Sequence, residues 1–292
     1  MPGKTLSFLL TERRRFAGQK IDSAVASILG KSDKSSAHDS GEQAQLERHV
    51  SISPRSWPPA ALTRQLDAND ADLHAWLRAD PAHVRAEMGV VRLLACGDLG
   101  LTQEEADEFI EPLKILFDEV GFPISAPLPS RWYLKLGKEA VLPSFQPVDL
   151  AIGADIFAQF PDDENTKRWR VLSNEAQIIL HNHPLNAVRT QKGLLPVNSL
   201  YFWGGGILPD RVKFHAGNII SDDAIIKALV VHADIDPQKN ENDSELVDCR
   251  RLRDWSVFER EYLMPVLLEL NNKKYDSIVL DFSDGVIHQI NT

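Results

Sequence analysis

The sequence predicts a mixed α/β protein, on three observations. Short aliphatic and β-branched runs such as "GVVRLLAC" and "DSIVLDF" are strand-length and bounded by glycine or polar residues. Two long stretches, Thr102–Val120 and Glu164–Leu180, repeat apolar residues at helical spacing. The two kinds of segment also intermix along all 292 residues, as they do in α/β and α+β proteins.

In order, "KTLSFLL" is the first strand. Residues 31–45, polar and rich in Ser and Asp, read as a loop. An extended Trp57-Pro58-Pro59 piece follows, then a short helix ending near Trp76 and Leu77. "GVVRLLAC" is a strand. Thr102 and Glu105 have the spacing of a capping box, and Phe109, Leu113, Leu116, Phe117 and Val120 form the stripe of the helix it opens. Pro112 is expected to kink this helix and Gly121 to close it. "RWYLKL" gives the next strand. The helix from Glu164 carries Trp169, Leu172, Ala176, Ile179 and Leu180 on one face and stops before Pro184. "VNSLYFW" is nearly all apolar and reads as a buried strand. "RVKFHA" and "KALVVHAD" are further strands, and a polar loop spans 236–246. A helix with Phe258, Tyr262, Val266 and Leu270 precedes the last strand, "DSIVLDF". The polar segments suggest a middle unit, 76–216, between pieces 1–75 and 217–292 that pair with each other.

Composition narrows the function. A formal charge of −10 argues against bulk nucleic-acid binding, which needs a basic face. No apolar run approaches the roughly 20 residues needed to cross a bilayer. Cys96 and Cys249 form no CxxC pair and no zinc-site spacing, so a reducing, cytoplasmic location is expected.

The stretch "HNHPLNAVRTQKGLLPVNSLYFWGGGILPD" concentrates the candidate chemistry. His181 and His183 are possible metal ligands, but a pair at a helix C-terminus more often caps carbonyls and complements the dipole. Gly204, Gly205 and Gly206 could present amides to an anion, or form a tight turn. Asp281, Asp284 and His288 at the last strand complete an alternative metal set for Zn or Mn, against the reading that they only build turns. The runs Arg13–Arg15 and Arg250, Arg251, Arg253 read as solvated faces.

From "LSNEAQ" to "GGGILP" the chain resembles the archaeal-type, cofactor-independent phosphoglycerate mutases. Their pattern, a helix ending in H-P-x-N, a short basic helix and an apolar strand running into glycines and Pro, is matched by His183, Pro184, Asn186, Arg189, Gly193, Pro196, Asn198, Trp203, Gly204, Gly206 and Pro209. The resemblance implies an alkaline-phosphatase-like core sheet with an inserted, ferredoxin-like α+β domain. Those enzymes hold two metal ions with Asp and His and carry the phosphoryl group on Ser. "KTLSFLLTERRRF" has no Asp-Gly start, and the last third has no Asp-x-x-Gly-His run. The chain also resembles bacterial regulatory proteins of the regulation-of-pathogenicity-factors E type through "ERRRFAG", "LRADP", "LHNHPLN" and "NSLYFWGGG". Together these imply a catalytically degenerate, regulatory or small-anion-binding protein without a bound cofactor. Its ligand would be a phosphorylated metabolite held by Asn186, Arg189, Asn198, Trp203 and Gly204–Gly206, and a protein partner is the other possibility. An active metal-dependent phosphotransferase or phosphohydrolase, and a pure protein-interaction module, are the competing classes.

Overall fold

The computed structural model describes residues 3–36, 38–72, 74–160, 164–233 and 244–291. The N-terminal part contains β1 (Thr5–Leu10), α1 (Ser23–Lys31), β2 (Asp33–Ser35), α2 (Glu42–Glu47) and β3 (Val50–Ser53). The middle follows with α3 (Pro59–Ala68), β4 (Ala75–Glu87), β5 (Val90–Cys96), α4 (Gln103–Glu119), β6 (Ile124–Leu128), β7 (Arg131–Leu136), α5 (Val148–Ala151), α6 (Glu164–His181), α7 (Leu185–Gln191) and β8 (Ser199–Ile207). The chain ends with β9 (Arg211–Phe214), β10 (Asn218–Ile220), α8 (Ala224–His232), β11 (Glu245–Asp248), α9 (Trp255–Phe258), α10 (Met264–Asn271), β12 (Ser277–Phe282) and β13 (Ile287–Asn291). A π-helical turn, Glu259–Leu263, joins α9 to α10.

The fold is mixed α/β and divides into two compact units, one of residues 1–55 with 211–292 and one of residues 56–210. The first division falls about twenty residues upstream of the sequence-based bound at 75/76, because α3 packs on β4 and β8 and so belongs to the middle unit.

In the first unit a six-stranded sheet has the order β10-β11-β1-β12-β13-β2. β10, β11, β1 and β12 run parallel, and β13 and β2 add antiparallel strands. Phe8, Leu10, Ile278 and Leu280 from the sheet pack with Trp255, Phe258, Leu263 and Leu267. β3 and β9 form a separate antiparallel ribbon.

In the second unit β4 is the spine of a five-stranded antiparallel sheet. It pairs with β5 over Ala82–Glu87, with β7 over Ala75–Arg78 and with β8 over Ala75–Ala82. Ala75, Leu77 and Ala79 face one core with Phe109, Leu113, Trp169 and Leu172 of α4 and α6. Trp76 packs on the other side with Ala60 and Ala61 of α3. The capping box of α4 forms as expected, with Thr102 accepting from the Glu105 N–H, and Pro112 lies inside the helix.

Several local expectations are corrected. The polar stretch 31–45 contains β2 and the start of α2 rather than only a loop. The helix expected to end near Trp76 and Leu77 is α3, ending at Ala68, and those two residues begin β4. "KALVVH" is helical in α8, where Asp223 caps the N-terminus by accepting from the Ile225 and Ile226 N–H groups. Most of the polar loop expected over 236–246 lies outside the described residues.

Candidate functional site

The sequence-predicted ligand residues in the second unit knit backbone segments together. The Asn186 side-chain amide donates to the carbonyls of Leu180 (2.8 Å) and Val197 (2.9 Å) and accepts from the Val197 N–H (2.8 Å). Asn198 accepts from the Val84 N–H (2.8 Å) and donates to the Val84 carbonyl (2.9 Å), extending the β4 ladder through a side chain. Arg189 is completely buried: its guanidinium donates to the carbonyls of Leu195 and Leu99 and pairs with Glu105 of the α4 capping box. Trp203 donates from Nε1 to Asp80 (2.7 Å).

Gly204, Gly205 and Gly206 lie inside β8, not in the turn expected after it. The β4–β8 register shifts between Trp76 and Arg78, opposite this segment, and Gly204 takes φ +67°. A Cβ on Gly204 would stand 2.6 Å from Pro59 Cγ, and one on Gly206 2.8 Å from Pro58 Cβ. The glycines therefore let the Pro58–Pro59 start of α3 lie directly on the strand. Gly204→Ala combines this clash with a left-handed φ and is expected to cost about 2–3 kcal/mol in chemical unfolding. An unchanged midpoint would contradict this close-packing account.

A buried ion pair that the sequence reading did not single out stands beside this strand. Arg78 and Asp80 project from the same face of β4, and both are almost fully buried. Asp80 accepts from Arg78 Nε (2.9 Å), the Trp132 N–H (3.2 Å) and Trp203 Nε1 (2.7 Å). The Arg78 guanidinium lies over the rings of Tyr133 and Trp203. Burial alone would lower its pKa, but Asp80 together with Tyr133 offsets this and the net shift is upward.

The alternative metal residues are divided between the two units. His181 ends α6, and the His183 ring packs against Phe109 at 4.6 Å. In the first unit Asp281 accepts from Arg48 Nη2 (2.6 Å) and Nε (3.0 Å) and bonds His49 Nε2 (2.8 Å). Asp284 is paired with Arg13 (2.8 Å). His288 lies on β13, not in a loop after the last strand, and its Nδ1 bonds Ser32 Oγ (2.9 Å). Among the described residues no group of three or more His, Cys, Asp or Glu is arranged to hold a metal ion. The donor set thus does not fit a Zn or Mn site: its carboxylates already bind guanidinium groups.

The place where an open α/β sheet builds sites is the carboxyl edge of its parallel strands. Here β1, β10, β11 and β12 end together, at Leu10, Ile220, Asp248 and Phe282, and side chains of α2 and of the segments after α2, β10 and β11 close the edge. Gln45 of α2 donates to the carbonyls of Leu10 (3.0 Å) and Asp281 (2.5 Å), and its buried Oε1 has no partner among the described residues. Arg250 clamps Asp248 with two hydrogen bonds of 2.8 Å and also reaches Glu42 (3.1 Å) and Asp223 (3.6 Å). Ser221 donates to Asp248 (2.7 Å).

Burial pushes both strand-end carboxyls up, but their hydrogen bonds prevail. Asp248 is held below the usual range by Arg250 and Ser221, and Asp281 by His49 and Arg48. Asp248 and Asp281 are thus ionised and already engaged by internal cations. The two thiols are also chemically quiet, since burial pushes Cys96 well up and Cys249 up to about 12. No helix among the described residues is long and apolar enough to cross a membrane.

No family model matches the chain. It is 32% identical over 101 residues to a probable 2,3-bisphosphoglycerate-independent phosphoglycerate mutase of Geobacter sulfurreducens, covering 33% of this chain and 25% of that protein. It is 28% identical over 138 residues to the 2,3-bisphosphoglycerate-independent phosphoglycerate mutase of Methanothrix thermoacetophila, covering 46% of this chain and 34% of that one. The chain therefore matches only a quarter to a third of these curated relatives' length. Among solved structures, the cofactor-independent phosphoglycerate mutase of Thermoplasma acidophilum aligns over 100% of this chain and 90% of that one, at 15% identity and a TM-score of 0.43. What the sequence matches establish is a distant similarity to the cofactor-independent phosphoglycerate mutases.

Proposed function

We propose that this chain is a phosphoglycerate-mutase-like protein that does not carry the mutase's phosphoryl transfer and acts in a regulatory or small-anion-binding role. In this reading residues 1–55 and 211–292 are a reduced alkaline-phosphatase-like core, and residues 56–210 correspond to an inserted ferredoxin-like domain. The resemblance to regulatory proteins of the regulation-of-pathogenicity-factors E type points to the same role.

One observation carries the proposal: the strand-end carboxylates Asp248 and Asp281 are closed by Arg250 and Arg48. A two-metal phosphoryl transfer needs carboxylates open to cations on this edge. A guanidinium occupies those lone pairs with bidentate, charge-assisted bonds instead.

The direct test assays purified protein for interconversion of 2- and 3-phosphoglycerate with Mn, Zn or Mg added. No turnover and no stoichiometric metal after dialysis are expected. Metal-dependent turnover that disappears in Asp281→Asn would overturn the proposal. In parallel, phosphorylated acids at millimolar concentration should raise the thermal midpoint, because a ligand that binds only the folded state stabilises it.

A further inference from the structure

Asn186, Arg189, Asn198 and Trp203 use their side-chain polar groups in internal contacts, so donors left over for an anion matter elsewhere in the second unit. One cleft of the second unit, about 550 Å³, lies between the end of α4, the segment after β7 and the N-terminal half of α6. Its lining includes Phe122, Lys138, Ala140, Val141, Arg168 and Trp169. We propose that it binds an organic anion with an apolar body, the carboxylate or phosphate monoester head meeting Lys138 and Arg168.

Three features support this assignment. First, the volume falls in the range that accepts small organic ligands, roughly 300–1,000 Å³.

Second, Arg168 is already held in place. Its Nη2 donates to the Val120 carbonyl (2.7 Å), and its guanidinium lies 4.4 Å over the Phe122 ring. Phe122 in turn stacks on Trp169 at 5.4 Å and 8°. Closing the end of α4 uses one N–H, and Arg168 makes no other hydrogen bond or ion pair among the described residues. A pinned cation with donors to spare loses little entropy on meeting an anion. Lys138 likewise has no partner among the described residues, and Glu139 is the one acidic side chain among the described residues of the lining.

Third, the rest of the lining is apolar. Val141 is 69% exposed, and Ala140 and Phe122, the latter backed by the buried Trp169, also line the cleft. An inorganic anion would make no use of this surface, whereas an organic body would cover it.

The assignment builds on the small-anion reading above, and titration with phenyl phosphate, benzoate and inorganic phosphate tests it. Binding is followed through the indole N–H resonances of the six tryptophans, with Trp169→Phe assigning its own. Phenyl phosphate and benzoate are expected to saturate at one site and shift the Trp169 signal. Inorganic phosphate should bind at least about tenfold more weakly, and Lys138→Ala and Arg168→Met should each weaken phenyl phosphate by about tenfold. Lys138 is exposed and makes no hydrogen bond or ion pair among the described residues, so its variant separates lost binding from lost folding.

The proposal is overturned by no Trp169 shift at about 10 mM ligand, by equal affinity for inorganic phosphate, or by affinity unchanged in both variants. Shifts confined to other tryptophans would remove the cleft and keep the small-anion reading. Mutase turnover in the separate assay would remove that reading and leave the cleft result standing.

Discussion

Arg250→Ala is expected to lower stability by about 3–5 kcal/mol, the usual cost of removing one partner from a buried ion pair. The guanidinium is only 5% exposed, and Asp248, Glu42 and Asp223 surround it. Without it Asp248 is left as a carboxylate whose burial is no longer offset. The pH dependence gives the sharper test. In the wild type the folded-state pKa of Asp248 is depressed, so its contribution is present above the unfolded value near 4 and fades as pH falls through the folded pKa. In the variant burial acts with much less opposition and raises that pKa. The deficit should then be largest near pH 7–8 and narrow toward pH 4. Urea unfolding at several pH values measures it. A deficit that does not change with pH would mean that lost packing, not a buried unpaired carboxylate, explains the variant.

Asp80→Ala is expected to cost a similar amount, about 3–5 kcal/mol, because it strands the buried Arg78 charge. It also leaves the Trp132 and Trp203 N–H groups without their acceptor. Replacing Arg78 and Asp80 together by leucine should recover much of the loss, since a buried ion pair is often no better than an apolar pair of similar volume. A double-mutant cycle in denaturant reads the coupling, and about 2 kcal/mol or more is expected. Additive single effects would show that Arg78 and Asp80 are packed independently, despite the 2.8 Å contact between them.

The elements that could be read ahead of the structure are those with one buried face. α4 carries its capping box and its stripe of Phe109, Leu113, Leu116 and Phe117 in the sequence, and α6 is equally periodic. β4 has no pattern of its own in the sequence because both of its faces are covered: Leu77 and Ala79 face α4 and α6, while Trp76 faces α3, so "AWLRADPAHVRAE" shows no alternation. The strand expected over "KALVVHAD" rests on Val230 and Val231, which favour strands, yet Lys227–His232 belong to α8. Asp223 was the overlooked signal, since a side chain that caps two N–H groups marks a helix start.

The candidate site divides in the same way. Thr102 and Glu105 meet within one helical turn, so their spacing alone establishes the cap. Arg78 with Asp80, and Asp248 with Arg250, also lie two residues apart, but spacing cannot say whether such a pair is buried or solvated. Arg250, expected on a solvated face, is the enclosed one of its run. Asp281 looks from sequence like a candidate metal ligand. The contact that ties it up comes from Arg48, 233 residues away in sequence. Local chemistry, meaning caps and periodic stripes, acts over a few residues and is written in the order of the chain. Which charges are desolvated, and which cation sits on which carboxylate, depends on strands and helices distant in sequence packing together, and that only the folded chain decides.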